Sequence, residues 1–227
     1  EWRYQKLFAE SQIRRGKYQE ALSTVEKYYQ QHSQNYIMGM LYARTLLLSK
    51  KYKESDALLG KLNIIPFEGA TDGRELYREA KLMQAVQEIQ KKNYTKALEF
   101  IAASKLWPSN LGVGKPYDED IDLRLEDWMS YLCYTRSGKT AQAKSSLERI
   151  VQMSRPYPSA NDLVTAWAME KANQKEKATQ WLQERVNEYP ENKILLWSKA
   201  TFENKPTNEI LKGEQNATVR ILEEIKN

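Results

Sequence analysis

The chain has 227 residues, 41% of them hydrophobic, with 35 basic side chains against 30 acidic ones and a net charge of +5. That apolar content is enough for a packed core and excludes wholesale disorder. The longest apolar runs, such as "RTLLLS" at 44–49, are too short to cross a bilayer, so no membrane insertion is expected.

In chain order, "EWRYQKLFAESQIRRGKY" at 1–18 reads as an amphipathic helix with neither a start methionine nor a signal peptide. A piece of a longer protein is therefore expected, with bacterial cytoplasm and periplasm both open as its compartment. Basic residues come in scattered pairs ("RRGK", "KKYK", "QKKN") near helix ends, where they suit the negative end of the helix dipole. They do not gather on one face among aromatic residues, and nucleic acid is not an expected partner.

Five stretches then align: "RGKYQEALSTVEKY" from 15, "SKKYKESDALLGKL" from 49, "KKNYTKALEFIAAS" from 91, "SGKTAQAKSSLERI" from 137 and "NQKEKATQWLQERV" from 173. Each opens on a polar, turn-prone pair. A tyrosine or its replacement follows, and a small residue stands three positions later: Tyr18/Ala21, Tyr52/Ser55, Tyr94/Ala97, Thr140/Ala143, Lys175/Ala178. Four residues further on lies Val25, Leu59, Ile101, Leu147 or Leu182, so small and large side chains share one helical face. Twelve residues upstream of the small position another recurs as Ala9, Ala43, Ala85 and Ala166, with Tyr131 as the exception. Successive registers are 34, 42, 46 and 35 residues apart.

A helix-turn-helix unit of 34 residues, small at both positions and with tyrosine before the second, resembles the tetratricopeptide repeat. "EYPEN" at 188–192 carries the closing proline of such a unit. The resemblance implies an all-α, right-handed α-solenoid of about five hairpins over 1–192, with 193–227 as C-terminal capping helices. Terminal units of repeat arrays commonly differ because one face meets water.

The excess lengths fall in two connections at equivalent points of successive units, 62–75 and 106–122, which are expected to emerge side by side. Connections this long are often functional. Phe67, Glu68, Trp107, Lys115, Tyr117 and Asp118 are their candidate surface residues. "PFEGATDGRELYREA" and "WPSNLGVGKPYDEDIDLRLED" look like segments of a tetratricopeptide region at the C-terminal end of large Bacteroidetes-type multidomain proteins. Those proteins carry an uncharacterised N-terminal β-sandwich domain, and the likeness implies a link to carbohydrate metabolism without transferable catalytic residues.

Chemistry is poorly supplied. "DEDID" sets Asp118, Asp120 and Asp122 at positions 1, 3 and 5 of a calcium loop, but Leu123 stands where glycine is required and Met129 where a bidentate glutamate is required. Acids facing a helix N-terminus account for the run better. "GVGKP" lacks the spacing of a phosphate loop. His32, the only histidine, reads as a turn residue, and Cys133 in "WMSYLCYTRSG" reads as a buried, inert thiol. No catalytic residue, metal ligand or cofactor site is assigned, and an enzyme is not expected.

First helices line the groove of a tetratricopeptide stack. Carried onto this register, the groove positions are Arg3, Lys6, Glu10 and Arg14, then Ile37, Met40, Arg44 and Leu47, then Leu82, Val86 and Ile89. They continue as Leu125, Trp128, Leu132 and Arg136, and end as Leu163, Trp167 and Lys171. Met40, Arg44, Leu82, Val86, Trp128, Leu132, Arg136 and Trp167 are the candidate partner-binding residues, since exposed apolar stripes with aromatic and arginine anchors mark contact sites. Lys6 matches a chaperone-tail carboxylate clamp, but Glu10 would repel that carboxylate. The expected function is a non-catalytic scaffold for a protein or peptide, including the N-terminal part of its own full-length chain. An accessory carbohydrate module, with Trp107, Tyr117 and Trp128 stacking on sugar rings, is the alternative.

Overall fold

The computed structural model describes residues 1–66, 71–153, 155–212 and 214–226, so the candidates Phe67 and Glu68 lie outside the described residues. Twelve α-helices and no strand occur among those described. The chain forms two compact units, residues 1–91 with 99–117, and residues 92–98 with 118–227.

The first unit holds α1 (Trp2–Arg14), α2 (Tyr18–Gln31), α3 (Tyr36–Leu48), α4 (Tyr52–Leu59) and α5 (Asp72–Gln90), and the division between units runs within α6 (Tyr94–Ser104). Each helix from α1 to α5 packs on the next, and α1 also meets α3 and α3 meets α5. The second unit holds α7 (Arg124–Arg136), α8 (Thr140–Gln152), α9 (Asn161–Lys171), α10 (Lys175–Glu188), α11 (Lys193–Phe202) and α12 (Ala217–Lys226). Here α7 to α11 pack in sequence, with α7 against α9 and α9 against α11. Both units therefore share one pattern, in which consecutive helices pair and the first helices of neighbouring pairs also touch.

The five second helices start at Tyr18, Tyr52, Tyr94, Thr140 and Lys175, the opening residues of the sequence register. Every small position on them is buried, Ala21, Ser55, Ala97, Ala143 and Ala178 alike, as are Ala9, Ala43, Ala85 and Ala166 on the first helices. A short side chain lets the neighbouring backbone come close, and the larger residue four positions on fills the space beside it. Where serine replaces alanine its hydroxyl needs a partner, and Ser55 Oγ donates to the Ala43 carbonyl at 3.0 Å. Tyr131, the exception, is half-buried.

A left-handed residue sits two positions before each second helix: Gly16, Lys50, Lys92, Gly138 and Asn173, all with φ between 60° and 73°. At Gly16 the turn closes with Lys17 N–H on Gln12 O and Gly16 N–H on Ile13 O, both at 2.9 Å. These are the paired bonds that satisfy the last carbonyls of a helix. The same pair recurs after α3, α7 and α9. It also ends α11, with Asn204 at φ 56° and Lys205 N–H on Ala200 O at 2.8 Å. The segment assigned to the cap thus opens as the repeats do, and Pro206 then stands where a second helix would begin. Asn35 and Asn192 start α3 and α11 alike, each side chain accepting the N–H three residues on, at 3.1 and 2.9 Å.

Candidate binding surfaces

The two long connections meet. Ile64 N–H donates to Asn110 O at 2.8 Å, and Asn110 Nδ2 donates to Leu59 O at 3.0 Å and Leu62 O at 2.8 Å. Gly112, at φ 67°, passes so near Ile64 O that a Cβ there would come within 2.7 Å of it. Side-by-side emergence is as the equivalent insertions imply, and the loops use much of their polar backbone on each other. Trp107 is half-buried with the Arg74 guanidinium 4.6 Å from its ring centroid, and Arg74 Nη2 donates to Ser104 O at 2.6 Å. Lys115, Tyr117 and Asp118 are exposed.

The acidic run is split in use. Asp118, Glu119 and Asp120 form a solvent-facing 3-10 turn. Asp122 turns inward, accepting the Arg124 N–H at 3.1 Å at the start of α7 and the guanidinium through Nε at 3.0 Å and Nη2 at 2.7 Å. Arg124 Nη1 continues to Asp162 at 3.1 Å and Thr165 at 3.0 Å, and Arg185 reaches the other Asp162 oxygen at 3.3 Å. Burial pushes the Asp122 carboxyl up, but the hydrogen bonds and charge of Arg124, aided by Asn161, outweigh it and hold the carboxyl below its ordinary value. The Arg124 guanidinium, which burial alone would lower, is held above its ordinary value by the same partners. Among the described residues no cluster of three His, Cys, Asp or Glu side chains is placed to hold a metal ion.

The groove positions do not form the expected apolar surface. Leu82, Val86 and Trp128 are buried, Met40, Arg44, Leu132 and Trp167 are half-buried, and only Arg136 of the eight is exposed. Packing takes up the stripe. α5, which bears Leu82 and Val86, packs on α3 and α4. Trp128 stacks on Trp167 with centroids 5.4 Å apart and tilts against Tyr131 at 5.2 Å. In the first helix Lys6 pairs with Glu10 at 2.7 Å, which occupies the cation a carboxylate ligand would need. Of the three aromatic residues of the carbohydrate alternative, Tyr117 alone presents an open ring.

Two features escape the groove positions. The first is the outward face of α1, where Tyr4, Leu7 and Phe8 are 72%, 60% and 57% exposed at i, i+3 and i+4. Shifted by the register they become Met38, Leu41 and Tyr42 on α3, of which Met38 and Leu41 join the core with Ala9, Ile13, Ala21 and Val25 while Tyr42 packs against it. On α5 they become Ala80, Met83 and Gln84, and on α9 Asn161, Val164 and Thr165, all buried.

The second is an open cavity of about 510 Å3 between α8 and the ends of α7 and α9. Tyr131, Ala143, Leu147, Val151 and Ala172 supply apolar lining, and Thr140, Lys144, Glu148 and Lys171 are among its polar residues. Smaller or more polar side chains at repeat positions that are large elsewhere are the sequence signal for it.

Cys133 is buried, and burial pushes its thiol up to about 11 against a smaller opposing effect of Arg136, so it stays protonated at neutral pH. His32 is exposed with its ring 4.4 Å from that of Tyr28. No helix among the described residues is long and apolar enough to cross a membrane. Compared with family models, with characterised proteins and with solved structures, the chain matches none.

Proposed function

We propose that the chain is a non-catalytic scaffold of five tetratricopeptide-like hairpins in a right-handed stack closed by its C-terminal helices. Its ligand is protein, and its principal docking face is the outward side of α1, which takes a further helical hairpin. The observation that carries this reading is the register of Tyr4, Leu7 and Phe8, exposed on α1 while their counterparts on α3, α5 and α9 are all covered. The interface in which α3 lies on the first hairpin continues in kind at this face. Three large apolar side chains in contiguous exposure on a helix mark a contact surface. Met40, Arg44, Leu132, Arg136 and Trp167 remain available on the groove side as secondary contacts. The exposed Lys115, Tyr117 and Asp118 remain available in the loops.

A chain with residues 1–34 repeated ahead of Glu1 tests the docking face, because the appended hairpin then precedes α1 as α1 and α2 precede α3. One cooperative unfolding transition at a higher midpoint is expected. An added hairpin that stays protease-sensitive, with the midpoint unmoved, would sink it.

The carbohydrate alternative draws support from a different place. A cavity of about 610 Å3 near the start of α1 gathers Trp2, Tyr28 and Tyr36 with Gln31, Gln34 and Asn35, aromatic faces beside amides. Saccharide titration monitored by tryptophan fluorescence tests it, and no response in wild type, or an equal response in Trp2→Ala, removes it.

A further inference from the structure

The cavity of the second unit has a counterpart in the first, and the two differ in what fills them. Setting Gly16 on Gly138 and Lys50 on Asn173 aligns the turns that carry the left-handed residue. Ile13 then corresponds to Thr135, Tyr18 to Thr140, Leu22 to Lys144, Tyr29 to Val151 and Leu48 to Lys171. In the first unit Ile13 and Leu48 belong to a single cluster, with Tyr18 and Tyr29 packed on it. Ser49, next to Leu48, reaches the Tyr18 carbonyl at 3.5 Å, so the turn after α3 lies over the start of α2. In the second unit all five replacements carry less apolar volume, and Thr135, Thr140, Lys144, Val151 and Lys171 line the open space. Tyr131 in place of Ala9 and Leu147 in place of Val25 are enlargements, and they do not close it.

Of the remaining lining, Ala143 is buried, Leu147 half-buried and Ala172 exposed. Ala143, Leu147 and Ala172 give the cavity apolar lining, and Thr135 and Thr140 add hydroxyls to it. Its charged lining is two lysines, Lys144 and Lys171, and one acid, Glu148. Among the described residues Lys171 has no carboxylate within ion-pair distance, and Lys144 stands 3.8 Å from Glu148 on an exposed helix face. An apolar pocket with a few convergent polar groups suits one ring, and lysines at its rim suit a carboxylate beside that ring.

We propose that this cavity binds a tyrosine side chain of a peptide, the ring entering the volume that Tyr18 fills in the first hairpin and an adjacent acidic residue meeting Lys144 and Lys171. The site lies on other helices than the α1 docking face, so either can fail without the other. The probe is an acetylated Asp-Tyr-Asp tripeptide amide, titrated into the 15N-labelled chain, with Asp-Ala-Asp as its control. Saturable shifts of the Ala143, Leu147 and Ala172 amides are expected, with affinity in about the millimolar range for so small a ligand. The control peptide is expected to bind at least about tenfold more weakly, as loss of a buried ring implies.

Thr140→Tyr restores the missing ring and is expected to abolish the shifts while raising the unfolding midpoint. Val151→Tyr restores the second tyrosine at a position 37% exposed, where the fold tolerates it, and is expected to weaken binding likewise. The proposal is overturned if the tyrosine and alanine peptides bind equally, or if no saturable shift appears at about ten millimolar peptide. It is equally overturned if folded Val151→Tyr or Thr140→Tyr binds as wild type does.

Discussion

Arg124 Nη1 and Asp162 Oδ1 meet at 3.1 Å with the two side chains 2% and 1% exposed, joining the start of α7 to the start of α9. The pair is what the acidic connection leads into. Asp122 occupies the other edge of the same guanidinium, and Arg185 takes the second Asp162 oxygen. A buried charge is tolerated when its partners are complete and becomes costly when one is removed. Asp162→Ala is therefore expected to lose about 3–5 kcal/mol of stability in urea unfolding. A loss below about 1 kcal/mol, the scale of a surface pair, would mean the cluster is far more hydrated than its burial implies.

The Asp122 carboxyl gives a pH signature. Its folded value lies below the ordinary 3.8, so its contribution to stability is fully present above that value and is lost as pH falls through the lower, folded one. Wild type should lose stability below about pH 4 more steeply than Asp122→Asn, whose curve lacks this contribution. Parallel curves for the two proteins across that range would contradict the assigned pairing.

Two glycines of positive φ separate strain from collision. Gly16 has nothing within 4 Å of an added Cβ, whereas Gly112 would meet Ile64 O at 2.7 Å. Gly16→Ala is expected to cost about 1–2 kcal/mol for the left-handed backbone alone. Gly112→Ala should cost at least about 1 kcal/mol more, because the clash is with backbone and the paired loops must part. Equal losses in thermal unfolding would show that the loop pairing yields freely.

Lys92 holds φ 63° at a turn where two of the other repeats use glycine. Lys92→Gly removes about 1–2 kcal/mol of steric cost and adds up to about 1 kcal/mol of chain entropy in the unfolded state. A small net rise in unfolding midpoint is expected, and a fall would place a tertiary contact of the lysine stem above the backbone strain.

Much of the local architecture is legible in the residues. The spacing of Tyr18 to Ala21, repeated four times, names the first residue of every second helix because it records a packing rule: small side chains where helices approach and a large one a turn later. The equivalent insertions likewise foretell the meeting of Ile64 with Asn110. Exposure is less legible. Leu82, Val86 and Trp128 fit a groove by position, yet a register cannot say whether a neighbouring side chain reaches over them, as Trp167 does over Trp128. Asp122 reads in sequence as an acid at a helix N-terminus, but its pairing with Arg124, which bridges to Asp162 forty residues later, is not visible there. The turn at Asn204 is hidden because no helix starts two residues later to mark it. The cavity beside Thr140 is an absence of volume, and only comparison of one hairpin with another brings it out.

In the proposed docking mode, a further helical hairpin covers the outward face of α1. The most direct measurement is the nitration rate of Tyr4, now 72% exposed, in the chain alone and in the chain carrying a second copy of residues 1–34 ahead of Glu1. In the extended chain the tyrosine followed is the one on the original α1. Docking predicts a fall in its rate of at least about tenfold, as for a side chain moved from solvent into a packed interface. An unchanged rate in an extended chain whose added helices are folded would contradict the claim.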